Sequence, residues 1–245
     1  MSRPVLLIAG GSRGIGAATA KLAGARGYDV AVNYKSNSNA AAGVVEAVKK
    51  AGGKAIAIPG DMALEQDIER VFDATTDGLG PITHFVHSSG IIGDSSRLDE
   101  ASSATMREVL DLDTFGALLC LRACVRRMST KHGGKGGSVV MLSSMAAPLG
   151  GANECVWYAA AKAGVDSMVI GVSREVAKEG MRVNAITPGV IDTDIQPPGR
   201  VERVTPMLPM GRAGEAGEVA EAVLFLLSDG ASYINGANLR VSGAR

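Results

Sequence analysis

The feature that most constrains this chain is an alternation running through nearly its whole length. Strand-sized apolar runs are separated by helix-sized amphipathic segments. Such a pattern belongs to parallel strands joined by crossover helices, which cover both sheet faces and leave the strands continuously apolar. Val5–Ala9 is the first run, followed by a glycine-rich turn and by Ala17–Ala23, a helix-favouring stretch that ends near Gly27. Asp29–Tyr34 predicts a second strand, Ala40–Ala51 a helix, Lys54–Ile58 a third strand, Glu65–Thr76 a helix and Thr83–His87 a fourth strand. One long helix is predicted over Ala104–Met128, strand five over Ser138–Leu142, another long helix over Trp157–Glu179 and strand six over Arg182–Ile186. Pro188–Pro209 is proline-rich and reads as a loop or mobile lid; Gly217–Leu227 reads as a final helix and Ala237–Val241 as a closing strand.

No repeat, low-complexity tract or linker interrupts this pattern. The expectation is therefore one α/β domain over residues 1–245, with a doubly wound parallel sheet of about seven strands, a Rossmann fold. Hydrophobic residues make up 46% of the chain, ample for a large core, and 25 basic residues balance 25 acidic ones. Nucleic acid would select a basic face, so it is not an expected partner. No apolar run approaches the roughly 20 residues of a membrane span. The N-terminus leads almost directly into Val5–Ala9, leaving no room for a signal peptide. Three cysteines make no disulfide framework, and with only three histidines (His84, His87 and His132) no metal-ligand pattern emerges. Cys120, Cys124 and Cys155 are expected to be small buried apolar residues in a reducing cytoplasm.

The first glycine turn is Gly10-Gly11-Ser12-Arg13-Gly14-Ile15-Gly16. A helix start carries unpaired N–H groups and a positive dipole end, and glycines allow backbone to approach a pyrophosphate. The spacing is a looser variant of G-x-G-x-x-G, but its place between a strand and a helix makes it a dinucleotide candidate. Strand two should end near the adenosine ribose, where an NAD site usually places a carboxylate. Here the chain reads Asn33-Tyr34-Lys35-Ser36, and Arg13 and Lys35 supply cations suited to a 2′-phosphate. The expected cofactor is NADP(H), preferred over NAD(H).

Tyr158 and Lys162 sit four residues apart and share one helix face. A free tyrosine titrates near pH 10, but a nearby ammonium and a cationic nicotinamide favour the phenolate and together should lower that value toward the working range. Ser143 and Ser144 close strand five, at the carboxyl edge where sheet ligands bind. A serine hydroxyl there can hold a substrate oxygen as charge develops.

With these motifs in place, the chain resembles a short-chain dehydrogenase/reductase along essentially its whole length. The matching marks are the glycine turn, Asp61-Met62, Ser144, Tyr158 with Lys162, Arg182–Gly189, Gly211–Gly214 and Tyr233–Leu239. The nearest branch is similar to bacterial reductases labelled 3-oxoacyl-carrier-protein reductase or glucose dehydrogenase. The resemblance implies that Tyr158 is the general acid/base, that Lys162 binds the nicotinamide ribose and that Ser144 orients the substrate oxygen. It also implies that Asp61 accepts from the adenine amino group, with Met62, Ser88, Ser89 and Gly90 beside the cofactor. Pro188-Gly189-Val190-Ile191-Asp192-Thr193 would embrace the nicotinamide amide. A homotetramer built on the two long helices and the last strand is the usual assembly.

Three positions depart from the family's pattern. Ala9 replaces a usual threonine, His87-Ser88-Ser89-Gly90 replaces Asn-Asn-Ala-Gly, and Asp113 replaces the fourth catalytic residue, normally asparagine. In relatives that residue's carbonyl holds a lysine-linked water and its side chain fixes a helix irregularity. Asp113 is expected to keep the relay while adding a negative charge near Lys162, which weakens the lysine's help to the phenolate. Two functions follow as expectations. One is NADP(H)-dependent hydride transfer to or from a small or medium carbonyl or alcohol. The other is a cofactor-binding sensor or assembly subunit with little catalysis. The pocket walls are expected from Met145–Trp157, where Asn153 and Glu154 are the polar exceptions, and from Ile195–Met210.

Overall fold

The computed structural model describes residues 3–245. In chain order its elements begin with β1 (Val5–Ala9), α1 (Gly14–Ala25), β2 (Asp29–Tyr34), α2 (Ser38–Lys50), β3 (Ala55–Pro59), α3 (Glu65–Leu79) and β4 (His84–His87). Next come α4 (Ser103–Leu110), α5 (Ala117–Met128), β5 (Gly137–Leu142), α6 (Ala146–Leu149), α7 (Val156–Val176) and β6 (Met181–Pro188). The chain closes with β7 (Ile191–Asp192), α8 (Arg200–Val204), β8 (Gly214–Glu215), α9 (Ala216–Leu227) and β9 (Asn238–Val241). Seven strands form one parallel sheet in the order β3-β2-β1-β4-β5-β6-β9, as the alternation predicts.

Side chains leave a strand on alternate faces. Leu6 and Ile8 therefore enter one core, with α1, α2 and α9, while Leu7 and Ala9 enter the other, with α3, α5 and α7. Both cores are dry and aliphatic, with Phe72 and Phe85 filling the second. The strand order reverses between β1 and β4, which opens a crevice at their carboxyl ends.

Two expectations need correction. The predicted single helix Ala104–Met128 is broken by a π-helical turn over Asp111–Gly116. One extra residue there lets Asp113 point inward, and Gly116 permits the close approach, since a Cβ would meet the Met62 carbonyl at 2.1 Å. The Pro188–Pro209 segment is not wholly loop. It contains β7, which pairs with β8, and α8, whose prolines lie outside the helix.

Asn33 also has a task within the fold itself. Its buried amide accepts from Gly10 N at 3.2 Å and donates to Ile58 O and Gly60 O at 3.3 and 3.0 Å. The side chain is thus a clamp between the glycine turn and β3. Replacing Asn33 with Ala removes three hydrogen bonds worth about 1 kcal/mol each. The expected result is a fall in the thermal midpoint of roughly 5–10 °C; an unchanged midpoint would show that the clamp carries no stability.

Candidate active site

The start of α1 is built to receive an anion. Arg13 at its N-cap makes no side-chain cap and the first turn holds no acidic residue, so the orphan N–H groups face the crevice unsatisfied by the chain. Gly10 and Gly14 have φ of +72° and +50°, and a Cβ on Gly16 would lie 2.2 Å from the Gly10 carbonyl. This turn can therefore form only with glycine at those places, and its shape fits a pyrophosphate.

A groove of about 610 Å³ runs from here across the sheet edge. It is lined by Gly10, Ser12, Arg13, Gly14, Ile15, Asn33, Tyr34, Lys35, Ser36, Asp61, Met62, Ser88, Ser89 and Gly90. Thr193 lines both this groove and an adjoining cavity of about 160 Å³. That cavity holds Ser144, Tyr158, Lys162, Pro188, Gly189 and Ile191. Gly16 lies behind the turn and lines neither, and Asp113 sits beneath the floor. Lys35 and Asp61, given separate tasks by the sequence, are joined by a 2.7 Å ion pair, which raises the lysine's pKa. Arg13 faces Asp194 at 3.9 Å.

The reacting side chains are held by the end of β5. Lys162 Nζ donates to Leu142 O at 3.2 Å, Ser143 Oγ donates to Lys162 O at 3.2 Å, and Ser144, whose Oγ accepts from Ala146 N at 3.1 Å, lines the same cavity as Tyr158. Lys162 Nζ stands 5.6 Å from the centre of the Tyr158 ring. Asp113 approaches the lysine directly rather than through its backbone. Its Oδ2 is 3.1 Å from Lys162 Nζ, and its Oδ1 accepts from Ile91 N at 3.0 Å. Burial pushes the Asp113 carboxyl up, against the pull of Lys162 and of Ile91 N–H. Burial pulls Lys162 down more than any one neighbour raises it, but Asp113, Tyr158 and Asp166 together outweigh it and the ammonium is held above its ordinary value.

Tyr158 corrects an expectation. Burial raises its pKa above the ordinary phenol value; Lys162 pulls it down, but Asp113 pushes it up. The lysine acts in the expected direction without prevailing. His87, in place of the usual amide, is fully buried, and burial with the Lys162 cation lowers its pKa to about 3, so it is neutral at any working pH. Its Nε2 has no hydrogen-bond partner among the described residues.

The sequence missed part of the cavity wall. Glu154 lines it as expected and Asn153 does not; Gln196 and Arg200 belong to the expected Ile195–Met210 wall but bring a polarity not expected of it, and Arg245 enters unannounced. Arg200 lay inside a segment read as loop, and Arg245 reaches the cavity from the far end of the chain with no local signal.

The family model described as enoyl-(acyl carrier protein) reductase matches residues 9–243. The chain belongs to the short-chain dehydrogenase/reductase family. It is 41% identical to the uncharacterized oxidoreductase YgfF of Escherichia coli K12, over 98% of this chain and 99% of that one. It is 34% identical to a 3-oxoacyl-[acyl-carrier-protein] reductase of Synechocystis, over 99% and 97% of the two chains. The crystal structure of levodione reductase superposes with a TM-score of 0.91 at 29% identity, covering 99% of this chain and 97% of that one. As a short-chain dehydrogenase/reductase the chain is an oxidoreductase of a family that binds a nicotinamide cofactor. No described helix is long and apolar enough to cross a membrane.

Gly90 sits where the ion pair leaves no room, since a Cβ there would lie 2.9 Å from Asp113 Oδ2 and 3.1 Å from Lys162 Nζ. Gly90→Ala is expected to destabilise by about 1–3 kcal/mol. In an Asp113→Ala background the same change should cost less, as a double-mutant cycle of thermal unfolding would read. Equal costs in both backgrounds would place the strain elsewhere.

Proposed function

We propose that this short-chain dehydrogenase/reductase transfers hydride between NADP(H) and the carbonyl or alcohol carbon of a small or medium molecule, with Tyr158 as general acid/base. The carrying observation is that Ser144, Tyr158 and Lys162 converge in one cavity that opens onto the α1 groove. The nicotinamide, when bound, supplies or accepts the hydride; the rest is done by the chain's own groups. Ser144 and Tyr158 hydrogen-bond the substrate oxygen, and the Tyr158 phenol gives up its proton as that oxygen gains charge. Lys162 holds the nicotinamide ribose and steadies the phenolate. Asp61 and Met62 receive the adenine, and Pro188, Gly189, Ile191 and Thr193 receive the carboxamide. The names of relatives include both carbonyl reductases and alcohol or sugar dehydrogenases, and they differ in substrate. Tyr158→Phe is expected to lower turnover by about 10²–10⁴-fold in a screen of NADPH oxidation with diketones, β-ketoesters and quinones. Undiminished turnover in that variant would remove the assignment.

The preference for NADP(H) is supported by Arg13 and Lys35 along the groove and by the lack of a carboxylate at the end of β2. Both cations have carboxylate partners, but exposed ion pairs are worth only about 0–1 kcal/mol, so a 2′-phosphate displaces them cheaply. NADPH should bind at least about tenfold more tightly than NADH, a preference of about 1.4 kcal/mol, and Lys35→Ala should narrow the gap. Tighter NADH binding in a titration would overturn this reading.

A second reading, a cofactor-binding protein with little catalysis, is favoured by the Asp113–Lys162 pair, which engages the lysine otherwise free to assist the tyrosine. The pair has a signed consequence. The Asp113 charge raises the Tyr158 pKa, so Asp113→Asn lets the phenolate form at lower pH. Alcohol oxidation needs the phenolate, so the acidic limb of its pH–rate profile should move to lower pH. A limb that stays in place counts against the electrostatic coupling. Exposed Leu110, Phe115 and Leu118 near α4 and α5, Ile170 on α7 and Leu239 on β9 support assembly into a homotetramer. The free, buried cysteines suit a reducing cytoplasm.

A further inference from the structure

The catalytic cavity places two guanidiniums beside one side-chain carboxylate. Lys162 is matched by Asp113 beneath it, which leaves Glu154, Arg200 and Arg245 as the other charged side chains of the lining. Glu154 lies just before α7 and meets the α8 segment through Arg200 at 2.7 Å and Arg203 at 3.4 Å. Burial alone would raise the Glu154 pKa, yet Arg200, Arg203 and Arg245 together hold it below its ordinary value. Glu154 thus pairs with Arg200 and Arg203, while Arg245 shares the cavity lining with Arg200 without pairing with Glu154. Arg200 is fixed in place, its side chain 17% exposed and its other nitrogen donating to Gln196 Oε1 at 2.7 Å. The Arg245 side chain makes no hydrogen bond or ion pair among the described residues, though its backbone is tied to Ser242.

We propose that the substrate is a small oxo acid, whose carboxylate binds between Arg200 and Arg245 while its carbonyl reaches Ser144 and Tyr158. This rests on the reductase reading and names the substrate class for the same site. A guanidinium fork matches the two oxygens of a carboxylate, and a partly enclosed site strengthens the contact. The cavity, at about 160 Å³, is smaller than the roughly 300–1,000 Å³ of drug-sized ligand sites, which selects a compact molecule. Glu154 opposes the incoming anion and keeps the arginines paired without it, so its removal should strengthen binding.

The test compares an oxo acid with its own methyl ester: acetoacetate with methyl acetoacetate, and 4-oxocyclohexanecarboxylate with its methyl ester. With the full chain and NADPH, the acid is expected to exceed the ester at least tenfold in kcat/KM, mainly through KM. Arg245→Gln should narrow that ratio and Glu154→Gln should widen it. An ester equal to or better than its acid overturns the proposal, as does a ratio that Arg245→Gln leaves unchanged. Calorimetric titration of NADP+-loaded protein with the same compounds separates the two readings. If nothing turns over but the acid binds more tightly than the ester, the reductase reading fails and the oxo-acid site stands. Equal or absent binding of acid and ester removes the site.

Discussion

The buried ion pair between Lys162 and Asp113 is the contact on which the rest of the site depends. Two opposite charges, 4% and 0% exposed, sit 3.1 Å apart. Taking them from water is costly, and mutual attraction repays it best where further hydrogen bonds support the arrangement. Two such bonds are made, from Lys162 Nζ to the Leu142 carbonyl at the end of β5 and from the Ile91 amide after β4 to Asp113 Oδ1. The π turn brings Asp113 inward and leaves its Oδ2 facing the lysine with no hydrogen-bond partner among the described residues. Gly90 passes over the pair because no side chain could. Removing either partner strands the other charge, so strand, loop and two helices are locked to one geometry by a single interaction.

A similar economy holds the cofactor side. Asn33 spends its amide on the backbone of the glycine turn and of β3, so the turn is stiffened from behind while its front stays open. The start of α1 carries no side-chain cap, and its dipole there favours an anion.

The electrostatics change character along the crevice. At the adenosine end the charges are exposed, paired and easily rearranged, as Lys35–Asp61 and Arg13–Asp194 show. At the catalytic end they are buried and fixed, and the phenol of Tyr158 sits between a lysine that lowers its pKa and an aspartate that raises it. Beyond the phenol, toward α8, the balance becomes positive again.

The alternation of apolar runs and amphipathic helices determined the sheet, because burial on both faces leaves a parallel strand little freedom of composition. The glycine turn was legible for the same reason, as only glycine permits its backbone, and Tyr158 with Lys162 followed from helical spacing. Other features depend on residues distant in the chain. The π turn leaves no mark in the hydrophobic periodicity, and only the family resemblance at position 113 pointed to a helix irregularity; its effect is to bring Asp113 to Lys162 across 49 positions. Asn33 reads as a strand residue beside a ribose until β3 is laid against it, and the ion pair of Lys35 with Asp61 needs β2 and β3 side by side. Arg200 and Arg245 enter the cavity only once α8 and the last residues fold back over the end of β5. Periodicity records what each element buries, whereas pairing between charges depends on distances that only the packed chain creates.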